Sequence, residues 1–354
     1  MLRIFSAASG EEVAALEASE LESMEHGSTV GSLKRYLAKK CFEGKSRFQL
    51  RILREGDPTE LREDEDITAP LDLQLILMNH LPPDVQRDDH FLDSCERGDL
   101  EEVERSLHAL QNPNLDPDIQ GVESQPLSVS AQVGQSNLVR LLLEAGADVE
   151  ARGEDEEEDS YDWTALHHAA AGGHLEVLRV LLEFGADKDA TNSEVQSALH
   201  LAVVNRHLDV VRLLLESRAE QELMDSCGCR PLHVAADTGD PDIVRLLLAS
   251  AAELEATKED GYRPLHYAAL SGSATALRLL LDANADKEVM TSKGFRPLHL
   301  AAQEGHEEVV RILLDRGAQK TATDALGRTP SKLAAIDGHR ALEELLDHHK
   351  RQRR

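Results

Sequence analysis

Apolar residues recur along most of the chain at intervals of three and four positions, the spacing of one face of an α-helix. In the run 306–318, Val309, Ile312 and Leu313 occupy such positions, and the run 174–187 has the same pattern. A Gly-Ala pair closes these runs, and glycine adopts the left-handed conformation that ends a helix at little cost. The pattern therefore predicts a series of short amphipathic helices separated by turns.

The first 80 residues have a different pattern, in which apolar and polar positions alternate as they do in β-strands. Residues 2–16 predict an opening strand pair, and residues 47–53 and 71–78 predict two further strands. Residues 29–41, between these pairs, have helical spacing. The apolar stripe of that helix comprises Val30, Leu33 and Leu37. The predicted order is strand, strand, helix, strand, strand.

The helical part of the chain repeats itself. The stretch GYRPLHYAALSG at residues 261–272 has close copies at residues 229–239 and 295–305, and a last copy begins at residue 328. One leucine recurs every 33 residues, at Leu166, Leu199, Leu232, Leu265 and Leu298. A single unit of this kind cannot bury its apolar face, so neighbouring units must stack on one another.

A period of this length with a T-P-L-H-x-A core is the signature of the ankyrin-repeat family, which residues 88–354 resemble. The resemblance implies an all-α solenoid of about eight units, each made of a turn, a short helix, a longer helix and a loop. It also implies a protein that has no catalytic activity and acts by holding other proteins.

The element order of residues 1–80 resembles the ubiquitin-like β-grasp, an α+β fold, with residues 81–87 as a linker. In the simplest alignment, Leu53 and Ile76 occupy two positions of the apolar patch through which ubiquitin binds partners, and Ala8 occupies the third. Exposed Leu or Ile side chains are common on small domains, so these positions predict either a partner contact, or ordinary surface or a contact with the repeats.

Composition limits the function classes further. The formal net charge is -28, which argues against nucleic acid as a partner because phosphate binding needs a basic surface. Four cysteines are too few for a disulfide framework in 354 residues, and the start lacks a secretory pattern. We therefore expect a cytoplasmic protein without a membrane span, or a nuclear one if the terminal KRQRR acts as an import signal.

One histidine recurs at the start of the first helix of each unit, which raises the question of a metal site. These residues are His167, His200, His233, His266 and His299. Helix packing separates neighbouring layers by about 10 Å, whereas zinc needs several ligand atoms about 2 Å from one ion. The family resemblance implies instead that this histidine bonds the backbone of the turn and the adjacent loop. We expect no metal, no cofactor and no small-molecule substrate, since catalytic motifs are also absent from the sequence.

Three consecutive units carry arginine where the family usually has a threonine that caps the helix. Because arginine has no acceptor, Arg230, Arg263 and Arg296 each give up a cap worth about 1 kcal/mol. Tyr262 and Phe295 precede two of them directly. Arginine beside aromatic residues suits an acidic protein segment. The alternative is that each arginine is solvated or pairs with a neighbour such as Asp260.

Three smaller departures from the repeat also carry predictions. Trp163 stands at the position of Tyr262 in an earlier unit and joins the candidate contact residues. Val195 replaces the glycine of the turn, which predicts a remodelled turn because a β-branched residue fits positive φ poorly. Cys227 and Cys229 predict an exposed thiol pair that is too sparse for zinc. The acidic run at residues 153–160 predicts a solvated loop.

These observations predict a non-enzymatic adaptor. Its repeats are expected to bind a protein, and its first 80 residues to contact a second one, with ubiquitin or the proteasome machinery as candidates. The alternative is a regulatory inhibitor whose repeats mask an enzyme or transcription factor.

Overall fold

A computed structural model describes residues 2–6, 12–16, 30–41, 49–54, 71–78, 84–109, 111–115, 125–152 and 162–348. By internal contacts the chain divides into two compact units. The first comprises Met1–His168 with Arg179–Ala186, and the second comprises Ala169–Leu178 with Asp187–Arg354.

Four strands of the first unit form one sheet. Their bounds are β1 Leu2–Ser6, β2 Glu12–Leu16, β3 Leu50–Arg54 and β4 Leu71–Leu77. The strand order is β2-β1-β4-β3, with β1 parallel to β4 and the other neighbours antiparallel. The opening pair and the later pair therefore meet through β1 and β4 at the centre of the sheet.

The helix α1, Val30–Cys41, lies between the two strand pairs in the sequence. Its stripe of Val30, Leu33 and Leu37 is fully buried, as the helical spacing predicts, and so are Leu50 and Ile52 of β3. Leu50 pairs with Leu77 and Ile52 with Leu75, so these four positions lie on one face of the sheet. The predicted order of elements is the observed order.

The remaining described residues form eight helix pairs. Two pairs and part of a third belong to the first unit: α2 Val85–Arg97 with α3 Leu100–His108, α4 Pro126–Val133 with α5 Ser136–Glu144, and α6 Ala165–Gly172 with α7 Leu175–Glu183. Five whole pairs belong to the second unit: α8 Ala198–Val204 with α9 Leu208–Glu216, α10 Pro231–Thr238 with α11 Pro241–Ala249, α12 Pro264–Leu270 with α13 Ala274–Asp282, α14 Pro297–Gln303 with α15 Glu307–Asp315, and α16 Pro330–Ile336 with α17 Arg340–His348.

In the second unit the helix pairs stack in sequence order. The first helices α8, α10, α12, α14 and α16 each pack against the next, and the second helices α9, α11, α13 and α15 do the same. Fully buried alanines such as Ala235 and Ala268 let the first helices approach closely, while Leu247 and Leu280 fill the space beneath them. The core is therefore a series of thin layers, as the repeat predicts.

The turn at Val195 contradicts the prediction that it is remodelled. Val195 has a φ of 58°, close to the 76° of Gly228 and of Gly261 at the same point of later turns. The Val195 amide donates to Asn192, as the Gly228 amide does to Asp225. The turn keeps its geometry because its hydrogen bonds outweigh the strain of a β-branched residue in the left-handed region.

Within the described ranges, no helix has both the length and the apolar content needed to cross a bilayer.

Candidate interaction surface

The recurring histidines link each layer of the second unit to the next. The Nδ1 atom of His233 accepts the amide of Arg230 at 3.1 Å, and its Nε2 atom donates to the carbonyl of Ala256 at 3.0 Å. His266 is bonded in the same way by Arg263 and Val289, and His299 by Arg296 and Ala322. An imidazole that accepts at Nδ1 and donates at Nε2 is neutral. The expectation that these side chains are part of the scaffold is therefore confirmed.

Burial also keeps these histidines neutral. It lowers the pKa of His233 and of His266 to about 4, against 6.5 for an exposed histidine, and it lowers the pKa of His200 and His299. The carbonyl bonds act in the opposite direction but are the smaller effect. Protonation would remove the acceptor that holds the first amide of the helix, so the bonding pattern requires the neutral ring.

Each of the three arginines forms an ion pair with the glutamate eight residues before it. Arg263 Nη1 lies 2.7 Å from Glu255 Oε2, Arg296 Nε lies 3.1 Å from Glu288 Oε2, and Arg230 Nε lies 3.4 Å from Glu222 Oε2. The arginine side chains are 31, 18 and 19% exposed, respectively. The alternative that each arginine pairs within the chain is therefore the observed one, although the partners are these glutamates rather than Asp260.

The same glutamates hold the next layer through their other oxygen. Glu222 Oε1 accepts the amide of Glu253 at 2.9 Å, Glu255 Oε1 that of Asp286 at 2.8 Å, and Glu288 Oε1 that of Gln319 at 2.8 Å. Each glutamate thus joins the arginine that begins a helix to the loop of the following unit. We call the pairs Glu222–Arg230, Glu255–Arg263 and Glu288–Arg296 the glutamate ladder.

The glutamate ladder explains why these units tolerate arginine at the cap position. Arginine cannot accept the helix amides, but it orients a carboxylate that bonds the next layer, which offsets the lost cap. In the unit before the ladder, Asp189 accepts the amide of Glu220 at 2.7 Å, and the residue eight positions later is Ser197. In the last unit Thr329 caps its helix directly through the amide of Lys332.

The analysis of the sequence missed these glutamates. The available signal was their offset, because a glutamate stands eight residues before each arginine, whereas Asp189 precedes Ser197 and Thr321 precedes Thr329 at the same offset. Single-residue comparison with the family motif draws attention to the arginine alone, since its partner lies outside the motif.

Aromatic side chains gather beside the ladder on two adjacent layers. The rings of Tyr262 and Tyr267 lie 5.9 Å apart, and Arg328 stacks 5.6 Å from the centre of the Phe295 ring. Tyr262 and Phe295 also contact the histidine of their own layer at 5.7 and 6.3 Å. We call Tyr262, Tyr267, Phe295 and Arg328 the tip patch. Its aromatic rings are half-buried and held by several neighbours, which limits their rotamer freedom.

Two strongly exposed apolar residues lie in the same turns as the tip patch. Met290 is 55% exposed and Leu326 is 75% exposed. Aromatic residues, methionine and arginine are the side chains enriched in protein interfaces. The chain has only 3% aromatic residues, so three of them on two layers form a local concentration.

Trp163, Leu53 and Ile76 belong to the first unit. The ring of Trp163 lies 5.1 Å from that of His168, so it contacts its own layer as the tip-patch rings do. Leu53 pairs with Gln74, and Ile76 pairs with Arg51. The register therefore places Leu53 and Ile76 on the sheet face opposite to Leu50 and Ile52, while Ala8 lies outside the described residues.

The two neighbouring cysteines do not form an exposed pair. Cys227 is exposed, but Cys229 is buried, and its Sγ lies 3.3 Å from Tyr267 Oη. Burial raises the pKa of the Cys229 thiol, which disfavours the reactive thiolate. The expectation of an exposed thiol pair is therefore wrong. The acidic run 153–160 lies outside the described residues, as does the terminal KRQRR.

The described part of the chain contains no group of three or more His, Cys, Asp or Glu side chains arranged to hold a metal ion. What the helical layers present is a set of exposed turns with aromatic and arginine side chains. Such a fold and surface define the class of helical-repeat proteins.

The comparison with known families identifies the class more closely. The profile described as "Ankyrin repeats (3 copies)" matches five overlapping segments, residues 91–192, 152–225, 199–291, 232–324 and 265–353. Together the matches extend over most of the chain, which therefore belongs to the ankyrin-repeat family. The first 90 residues precede the matched segments.

Several curated proteins are similar to part of the repeats. Protein phosphatase 1 regulatory subunit 27 of Mus musculus is 36% identical over 104 residues, 29% of this chain. This chain spans 62% of the length of that relative. The Notch-regulated ankyrin repeat-containing protein of Homo sapiens is 42% identical over 93 residues, which are 26% of this chain and 76% of the relative.

Proposed function

We propose that the protein is a non-catalytic adaptor that holds a partner protein on the tip patch. The observation that carries the proposal is the tip patch itself, in which rigid aromatic rings and Arg328 adjoin the exposed Met290 and Leu326. Membership of the ankyrin-repeat family supports a role in protein interaction in general. Half-buried aromatic side chains lose little conformational entropy when a partner covers them.

The arginines of the glutamate ladder contribute to selectivity in this proposal. Arg230, Arg263 and Arg296 already pair with carboxylates, but each retains an exposed edge of the guanidinium group. An acidic side chain of the partner contacts that edge without displacing the glutamate. Because exposed ion pairs contribute about 0.2 to 1 kcal/mol each, the arginines tune the choice of partner while the aromatic residues supply most of the affinity.

Residues 1–80 are proposed to form a ubiquitin-like module, with residues 81–87 as a linker to the repeats at 88–354. The support is the order of the elements and the central parallel pair β1 and β4. Leu53 and Ile76, on the sheet face opposite to the buried Leu50 and Ile52, are the candidate contact for a second partner, with ubiquitin or the proteasome machinery as the candidate class.

Site-specific crosslinking tests the adaptor proposal. A photo-reactive amino acid is placed at Leu326, beside the tip patch, or at the exposed Glu216 of α9 as a matched control. We expect specific protein adducts from cell extract at position 326 and none of the same adducts at position 216. Equal adducts at both positions would contradict a partner held at the tip patch.

A regulatory role is the second candidate, favoured by one comparison. The phosphatase relative is named as a regulatory subunit, and its similarity lies within the repeats. Direct titration with a protein phosphatase 1 catalytic subunit tests this candidate. Saturable binding that Leu326→Asp weakens would support it, and an absence of binding would remove it.

A further inference from the structure

Arg51 of β3 bonds the first helix pair of the same unit. Its Nη2 atom donates to the carbonyl of His108 at a distance of 2.6 Å. His108 is the last residue of α3, and 57 residues separate the two partners in the sequence. The contact therefore joins the sheet to the first layer of repeats.

The bond completes the C-terminal end of α3. The last carbonyls of a helix have no partner within the helix and need other donors. The Ala109 amide donates to the carbonyls of Arg105 and Leu107, and the Gln111 amide donates to that of Ser106 at 3.0 Å. The carbonyl of His108 is next in line, and Arg51 supplies its donor. A positive charge at this point also interacts favourably with the helix dipole.

The strand register shows which face of the sheet makes this contact. Arg51 pairs with Ile76, and Leu53 pairs with Gln74. Arg51, Leu53 and Ile76 therefore occupy positions on one face, opposite to the buried Leu50 and Ile52. The face with the two candidate partner-binding positions is thus the face whose arginine bonds the first layer of repeats.

We propose that this sheet face docks on the first helix pair and caps the start of the repeats, with Arg51 as its anchor. The end layer of a repeat array needs a cover for the side that has no neighbour. The docked sheet supplies that cover, and α3 is the occupant of the face. A separate partner then reaches Leu53 and Ile76 only when the sheet leaves α3. The inference extends the proposed module and does not depend on the tip patch.

Hydrogen–deuterium exchange of the full chain tests the docking. The variants are Arg51→Glu, which reverses the charge at the helix end, and Arg51→Lys, which retains it. The matched control is Arg35→Ala, because Arg35 bonds Ser32 within α1. A charged hydrogen bond makes a contribution that corresponds to about tenfold or more in an opening equilibrium.

We expect Arg51→Glu to raise exchange about tenfold in peptides of α3 and in peptides of β3 and β4 together. Arg51→Lys should raise exchange less, and Arg35→Ala should leave α3 unchanged. Faster exchange in α3 alone would mean that Arg51 only caps a helix and would overturn the docking. Exchange in α3 equal to that of the Arg35→Ala control would overturn it as well.

Discussion

At the scale of single residues, Val195 shows that the repeat imposes its turn on an unsuitable side chain. Its φ of 58° lies in the left-handed region, where a β-branched residue is strained. Gly228, Gly261 and Gly327 occupy the same point of later turns without this strain. The turn at Val195 is therefore a place where the chain gives up stability that the repeat pattern would allow.

Replacement of this valine should stabilise the protein. We expect Val195→Gly to raise the free energy of unfolding by about 1 kcal/mol, since the relief of about 1 to 3 kcal/mol of strain exceeds the cost of a more flexible glycine. The reverse change, Gly327→Val, should lower it by a similar amount, because no atom lies within 4 Å of an added Cβ there. Urea denaturation measures both. Destabilisation by Val195→Gly would contradict the strain.

The arginines show how a residue that looks functional can be structural. Arg263 pairs with Glu255, which also bonds the amide of Asp286, so the side chain has a role before any partner arrives. A charge reversal at these arginines would disturb the stacking of the layers whichever partner binds. A conservative replacement by glutamine is therefore the informative change in a binding experiment.

A double-mutant cycle measures the coupling within the ladder. We expect Arg263→Ala and Glu255→Ala to show a coupling free energy of about 1 kcal/mol, because the pair is partly buried and shares a backbone bond. The matched control is Arg245 with Asp242, an exposed pair three residues apart on α11, which should couple by less than about 0.5 kcal/mol. Equal coupling of the two pairs would remove the structural role of the ladder.

At the scale of elements, the histidines make the stacking of the first helices sensitive to acid. In the unfolded chain their pKa is near 6.5, whereas burial lowers the pKa of His233 and His266 to about 4 in the fold. The unfolded state therefore takes up protons first as the pH falls. Their contribution to stability is fully present above pH 6.5 and is lost progressively as the pH falls towards 4.

The acid sensitivity has a measurable slope. Between about pH 6 and 4.5 the free energy of unfolding should fall by about 1.4 kcal/mol per pH unit for each such histidine. His266→Gln should be less stable at pH 7, but its stability should fall less steeply with pH. Urea denaturation at several pH values gives both slopes. An unchanged slope in the variant would show that His266 does not carry the effect.

Element types were predictable because their signals are local. The 33-residue period fixes the helix pairs, and alternation fixes the strands, as the buried Leu50 and Ile52 of β3 illustrate. The turn at Val195 was not predictable from local preference, since the stacked turns determine its conformation. The partners of Arg263 and Arg51 were not predictable either, because Glu255 and His108 are set by how layers and sheet pack.

At the scale of the molecule, the account assigns different tasks to neighbouring surfaces. The glutamate ladder stabilises the stack of the second unit, and the tip patch beside it is proposed to hold a partner. In the first unit, the sheet is proposed to cap the repeats through Arg51. The net charge of -28 lies mostly outside these contacts and favours solubility over recognition.

Quantitative affinity capture from cell extract tests the central claim most directly. It compares the natural chain with Tyr262→Ala/Phe295→Ala and with a triple variant that has glutamine at the three ladder arginines, Arg230, Arg263 and Arg296. Circular dichroism verifies that each variant is folded. We predict that the aromatic variant retains about a tenth or less of the specific partners, while the triple variant retains most of them. Identical sets of bound proteins from the natural chain and the aromatic variant would contradict the tip patch as the binding surface.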